Sequence, residues 1–172
     1  MQTLQHTDPE VIEAIIHKCD ICFVGVVDES NKPYVLPMNF GFKDNVIYLH
    51  SAPTGRIIDI LNNNNNICVT FSTDHEMAFQ HPEVACSYRM KSKSVIATGQ
   101  VEFVDDMDAK RDILNILMAN YSDMDFKYSD PAVKNVKIWK VPVDHISCKE
   151  FGAPHDEYKL KRSIEDLKNL HK

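Results

Sequence analysis

The sequence predicts a mainly β fold, in which six antiparallel strands curl into a small barrel with helices set between them. Three observations predict it. Runs of β-branched and aromatic residues recur along the chain, and the first three are separated by turns far too short for a parallel crossover. Helical periodicity is confined to stretches between or after those runs. The 172 residues suffice for one domain, because a chain of this size buries about 70% of its unfolded surface without metal or disulfide staples.

Taken in order, Thr7-Asp8-Pro9-Glu10 reads as a capping box with a proline in the first turn, and Val11, Ile12, Ile15 and Ile16 repeat at helical spacing, predicting a helix over 8–18. The strand formers of 21–27 follow, closed by the turn residues 28–32. A second extended stretch covers 34–42, Asp44-Asn45 turns the chain, and 46–50 is the third strand. A helix begins near Pro53 and runs to Leu61, carrying Ile57, Ile58, Ile60 and Leu61. The asparagines 62–66 end it through left-handed geometry and lead into strand 67–72. Residues 74–83 read as an irregular loop, and 86–104 as a long strand in which Gly99 marks a bulge or a close backbone approach. Asp105 or Asp106 caps a third helix lined by Ile113, Leu114, Leu117, Met118 and Tyr121. The last strand covers 136–146, with Pro142 at an edge or bulge. Body and tail divide at 150: in 151–172, set off by Gly152 and Pro154, Leu160, Ile164, Leu167 and Leu170 form a weaker helical stripe.

Composition excludes several classes. With 19 Lys and Arg against 25 Asp and Glu, the net charge of −6 argues against a nucleic-acid-binding body. No apolar run approaches the roughly 18 residues of a membrane-spanning helix. The first residues lack the basic and apolar regions of a signal peptide, so the expected address is the cytoplasm. Five cysteines are an odd number, and no disulfide framework is indicated. Cys19 and Cys22 form a CxxC whose order, helix then strand, is the reverse of a thioredoxin motif, and no second pair supplies a zinc site. Buried, reduced thiols are the expectation, and no metal site is expected.

Three segments carry chemistry. In residues 48–56 a strand end, a small-residue turn and a helix start follow one another, with Arg56 in the first turn. Free N–H groups and the positive end of the helix dipole suit a phosphate there, and a guanidinium offers paired donors. The alternative is that Ser51 merely caps the helix and Arg56 pairs with Asp59. In the second segment, Pro37 and Asn39 interrupt an apolar strand. Proline removes a ladder donor, and a break in pairing frees main-chain groups for a flat ligand, unless Asn39 is buried and satisfied by a neighbouring loop. In the third, Arg89, Lys91 and Lys93 alternate with Tyr88, Met90, Ser92 and Ser94, giving either a basic face or a merely solvated one.

In this order, P-x-N-F-G at 37–41, H-S-A-x-x-G-R at 50–56 and S-V-I-x-x-G at 94–99 resemble the FMN-binding split-barrel superfamily. Within it the chain is most similar to the nitroimidazole-resistance (Nim) type and more remotely to pyridoxamine 5′-phosphate oxidases. The resemblance implies a six-stranded split barrel that binds FMN. It places Arg56, with Ser51, Ala52, Gly55 and Ile57, at the FMN phosphate. Pro37, Met38, Asn39 and Phe40 fall on the strand whose backbone lines the isoalloxazine ring, and Ser92 and Ser94 on a neighbouring flavin-contacting strand. It also implies a homodimer with two flavins at the interface, making Tyr88 and Trp139 candidates from the opposite subunit. His50 matches a histidine held near cofactor and substrate, and becomes the candidate catalytic residue.

Three departures qualify the likeness. Gly55-Arg56 stands where pyridoxamine-phosphate oxidases carry an Arg-Lys pair, and 148–172 lacks their C-terminal arginine motif, which argues against a vitamin B6 substrate. Ser92 stands where many Nim-like chains carry an aromatic residue. The leading expectation is an FMN-dependent oxidoreductase acting on a small electron-poor substrate such as a nitro-aromatic. Two alternatives are a non-catalytic flavin store or sensor, and a haem-binding relative with His75 or His81 as axial ligand. No GxGxxG turn is present for a Rossmann nicotinamide site.

Overall fold

The structure, a computed structural model, describes residues 2–153; the tail stripe from Leu160 to Leu170 lies outside the described residues. Its strands are β1 (Gln2–His6), β2 (Cys22–Val27), β3 (Pro33–Met38), β4 (Gly41–Lys43), β5 (Val46–Ser51), β6 (Asn66–Ala78), β7 (Arg89–Gln100), β8 (Glu102–Val104) and β9 (Lys137–Ala153). The helices are α1 (Pro9–His17), α2 (Arg56–Asn63), α3 (Met107–Ala119) and the short α4 (Asp130–Lys134). Every strand pair is antiparallel.

The strands run in the order β3-β2-β6-β7-β9-β5-β4, with β1 and β8 also paired to β9. The two end strands, β3 and β4, are consecutive along the chain with only Asn39 and Phe40 between them. The sheet therefore curls back on itself and stays open at that seam, a split barrel. Strand β9 is its spine, pairing with β5 and β8 along its first part and with β7 and β1 further on. It changes course where the β7–β9 register shifts between Thr98 and Gly99. A Cβ at Gly99 would overlap the Pro142 carbonyl oxygen, so glycine is required by the approach of β9.

Alternation decides what fills the barrel. Cys22, Val24 and Val26 of β2, Ile67, Val69 and Phe71 of β6, and Val95 and Ala97 of β7 point inward with Phe40, Leu49, Trp139 and Val141. Phe40 and Phe71 meet edge to face at 4.8 Å. Helices α1 and α2 add Ile12, Ile15, Ile16 and Ile57, Ile58, Ile60, Leu61 to this core. A second cluster, Ile113, Leu117 and Ile138 with Tyr48 against it, seats α3 on the far side of β5.

Several expectations are corrected. There are nine strands among the described residues rather than six, partly because 34–42 breaks at Asn39 and Phe40 and 86–104 breaks into a helical turn, β7 and β8. Strand β1 was not expected: its residues are mostly polar, and pairing with β9 alone makes it a strand. Strand β6 continues to Ala78 through a register shift at Asp74, where a loop was expected, because β7 offers it a partner. Likewise β9 runs to Ala153, past the strand end expected at 146. Asp8 rather than Thr7 caps α1, accepting from the Glu10 N–H, and α2 starts at Arg56 rather than Pro53. None of the asparagines 62–66 is left-handed: Asn64 is extended, and its side chain accepts from the Asn66 N–H. By contrast Asp44 and Asn45 both have positive φ, the turn expected between β4 and β5. Asp106 caps α3, and Tyr121 lies beyond its end. Cys19 and Cys22 are buried as expected.

Candidate functional site

Strand β5 ends at Ser51 and α2 starts at Arg56, leaving a four-residue exposed turn between them. Gly55 occupies the cap position with φ 129° and ψ 171°, a region essentially reserved for glycine. Lacking a side chain, it makes no cap hydrogen bond; its carbonyl accepts from the Ile58 and Asp59 N–H groups. The Arg56 and Ile57 N–H groups precede the first intrahelical donors, Ile58 and Asp59, and carry the positive end of the dipole. The Arg56 side chain is 59% exposed, with its guanidinium carbon 4.4 Å from the Tyr34 ring centroid and Nη2 3.7 Å from Asp28 Oδ2. An uncapped helix start beside an open guanidinium fits a phosphate.

Neither bland alternative survives at this turn. Arg56 turns toward Asp28, not Asp59. Ser51 does not cap α2: its hydroxyl donates to the Ala52 carbonyl at 2.8 Å and accepts from Trp139 Nε1 at 3.2 Å. Trp139 is fully buried in its own chain, so its place is in the barrel, where it anchors Ser51, rather than against a flavin of another subunit. Ile57 is likewise core, leaving only its backbone to the site.

On the second segment, Pro37 and Asn39 are exposed while Met38 and Phe40 are buried, as alternation requires. Asn39 sits at the seam and is not the buried, satisfied residue of the alternative reading. The Met38 carbonyl accepts from Cys22 Sγ, and the Phe40 N–H donates to the Tyr121 hydroxyl at 2.9 Å. The side chains of Met38 and Phe40 thus belong to the core.

His50 and Ser51 are consecutive on β5 and point to opposite faces, Ser51 toward Trp139 and His50, itself exposed, to the face on which Tyr48 meets α3. His50 keeps solvent contact, yet partial burial removes enough hydration to hold its pKa below the ordinary imidazole value. Burial of Cys22 pushes its thiol up to about 12, and burial also raises Cys19, so both are poor nucleophiles.

Ser92 and Ser94 lie on β7, separated from Pro37 on β3 by β2 and β6. Three strand steps amount to about 14 Å. The α2 turn meets β3 where Arg56 lies over Tyr34, but the β7 serines stand apart from β3 across two strands. Pro37, Phe23, Thr70, Ile96 and Ser147 form one row across the outer sheet face. That face is left apolar and bare, with Val35 60%, Phe23 43% and Ile96 43% exposed. Tyr88 stacks on Phe79 at 4.7 Å and donates to the Pro82 carbonyl.

The alternating cations of β7 are not a free basic face. Lys91 pairs with Glu76, Lys93 lies 3.4 Å from Asp74, and Arg89 donates to the Ser87 carbonyl. Burial acts upward on Asp74, but hydrogen bonds and charge from Lys18 and Lys93 outweigh it and hold the carboxyl below its usual value. His75 is hydrogen-bonded to Ser72, and His81 Nδ1 accepts from the Glu83 N–H. An open groove of about 310 Å³, lined by Gly25, Val27, Asn64, Cys68, Thr98 and Asp144 among others, contains none of residues 37–57. No group of three metal-ligating side chains occurs among the described residues, and no helix there is long and apolar enough to cross a membrane.

Sequence reasoning missed Asp28, Tyr34 and Tyr121. An Asx turn was legible at Asp28, but nothing local announces its meeting with Arg56.

The solved structures similar to this chain include a candidate 5-nitroimidazole antibiotic resistance protein from Bacteroides thetaiotaomicron, 49% identical over 87% of each chain with a TM-score of 0.79. Two more distant ones share the fold. The flavocytochrome Anf3 from Azotobacter vinelandii is 20% identical, covering 96% of this chain and 75% of its own, with a TM-score of 0.76. A FAD and heme binding protein from Mycobacterium smegmatis is 17% identical, covering 96% and 79%, with a TM-score of 0.77. No curated protein matched. The family model described as pyridoxamine 5′-phosphate oxidase matches residues 8–150, nearly the whole described barrel, and on that match the chain belongs to the pyridoxamine 5′-phosphate oxidase family.

Proposed function

We propose that this chain is a homodimeric FMN-dependent oxidoreductase that reduces a small electron-poor molecule, with a nitro-aromatic as the first candidate. The observation that carries the cofactor is the uncapped start of α2, with Gly55 in its glycine-only conformation and Arg56 open beside it. Kinship to a candidate nitroimidazole-resistance protein supports the substrate class, and the flavin-binding names among the structural relatives support the cofactor.

In this reading Arg56 and the first N–H groups of α2 hold the phosphate, while Ser51, fixed by Trp139, and Ala52 shape the turn beneath it. The edge of β3 at Pro37 and Asn39 lines the ring of one flavin, and Ser92 and Ser94 reach it from the second chain. The separation of β3 from β7 within one chain supports a site shared between two chains. The bound flavin supplies the electron or hydride transfer. His50, neutral near pH 7, holds an N–H toward a nitro or carbonyl oxygen.

The test is to purify the protein without added cofactor, record its visible spectrum and identify any released chromophore by mass. FMN at about one per chain is expected, followed by turnover of nitro-aromatics with an added reductant. A colourless protein that also fails to take up FMN overturns the reading. A Soret band would replace it with the haem alternative, and bound flavin that never turns over, whatever the acceptor, with a store or sensor.

A further inference from the structure

Resting on that flavin reading, we propose that Tyr34 and Asp28 set the strength of the phosphate grip in opposite directions. The Tyr34 ring holds the Arg56 guanidinium in place, and the Asp28 carboxylate is the anion that the phosphate must displace from it.

The geometry is specific. Asp28 closes the β2–β3 turn with one oxygen only: Oδ1 accepts from the Ser30 and Lys32 N–H groups, both at 2.9 Å. Further backbone bonds, Asp28 N–H to Lys32 O and Asn31 N–H to Asp28 O, fix the turn without using the side chain. Oδ2 is left facing Arg56 Nη2 at 3.7 Å. This spare oxygen is a rigidly placed negative charge beside the one cation of the α2 start. Tyr34, on the strand that follows the turn, is half-buried against the barrel core and lies under the guanidinium at 4.4 Å. A ring held by the core can fix a flexible arginine more firmly than an ion pair at 3.7 Å does.

The two contacts act differently on an incoming phosphate. The ring neutralises nothing and leaves the donor edges of the guanidinium open. The carboxylate offsets the charge of Arg56 and repels a phosphate dianion. Removing the ring should therefore weaken the grip, and removing the carboxylate charge should strengthen it.

The experiment titrates the whole 172-residue chain, freed of flavin, with FMN and with riboflavin, which lacks the phosphate, following flavin fluorescence. The wild-type chain should prefer FMN. Tyr34→Leu, which keeps an apolar body in the core, should raise the Kd for FMN roughly two- to fivefold, while Tyr34→Phe keeps the wild-type value. Asp28→Asn, which retains the Oδ1 acceptor of the turn, should lower it by roughly the same factor. Riboflavin binding should change in neither. If riboflavin binds too weakly to titrate, the opposite signs on FMN carry the test, since simple damage to the fold weakens binding in both variants. A wild-type preference for FMN with unchanged or equally weakened variants overturns this inference alone. A wild-type chain with no preference for FMN overturns the phosphate grip, and this inference with it.

Discussion

His50 is one residue whose chemistry follows from where its strand ends. Partial burial lowers the proton affinity of the folded imidazole below the ordinary value of about 6.5. As pH falls, the unfolded chain takes up this proton first. The stability present above about pH 6.5 is then lost on acidification through that range. A His50→Gln protein should lose less of its denaturation midpoint between pH 7 and 5 than the wild-type chain does. Equal losses would show that this imidazole does not titrate differently on folding. On turnover, His50→Ala should cost about a hundredfold at full flavin occupancy, the lower range for a positioned proton donor. Undiminished turnover would remove His50 from the chemical step.

At the scale of the element, α2 shows how a helix start can be left open to an anion. Its apolar residues Ile57, Ile58, Ile60 and Leu61 are all buried, so packing, not capping, holds the helix in place. The cap position is then free to be glycine, and no heavy atom lies within 4 Å of where a Cβ at Gly55 would sit. Gly55→Ala should therefore lower stability through backbone strain alone, by about 1–3 kcal/mol, measured by urea denaturation. A neutral result would mean that the turn relaxes to another conformation, and FMN affinity should then fall without a loss of stability.

For the whole molecule, the proposed homodimer would use the outer sheet face around Ile96 as its interface. Large apolar residues exposed in one patch mark an interaction surface more often than an ordinary exterior. Ile96→Asp places a charge within the row that also holds Pro37, Phe23, Thr70 and Ser147. The variant should keep its circular dichroism, run as a monomer by light scattering and lose flavin, because Ser92 and Ser94 of one chain would no longer meet the β3 edge of the other. A flavin-loaded dimer would place the interface elsewhere.

The antiparallel barrel, the helices between its strands and the turn at 51–56 were legible in the sequence, because alternation, helical periodicity and turn chemistry are local properties of neighbouring residues. Strand β1 and the far end of β6 were not, since nothing in their residues demands a strand until β9 and β7 offer a ladder. The same holds inside the candidate site. Phe40 and Trp139 were expected as flavin contacts, and only the phase of the pleat and the strands packed over it put both side chains in the core. Arg56 was recognisable as the cation at a helix start, whereas its partners come from the β2–β3 hairpin. The sequence by itself determined the barrel strands, the helices between them and a helix start suited to an anion. Which side chains face that anion was decided by the tertiary structure, because strand register brings together residues between which no local rule operates.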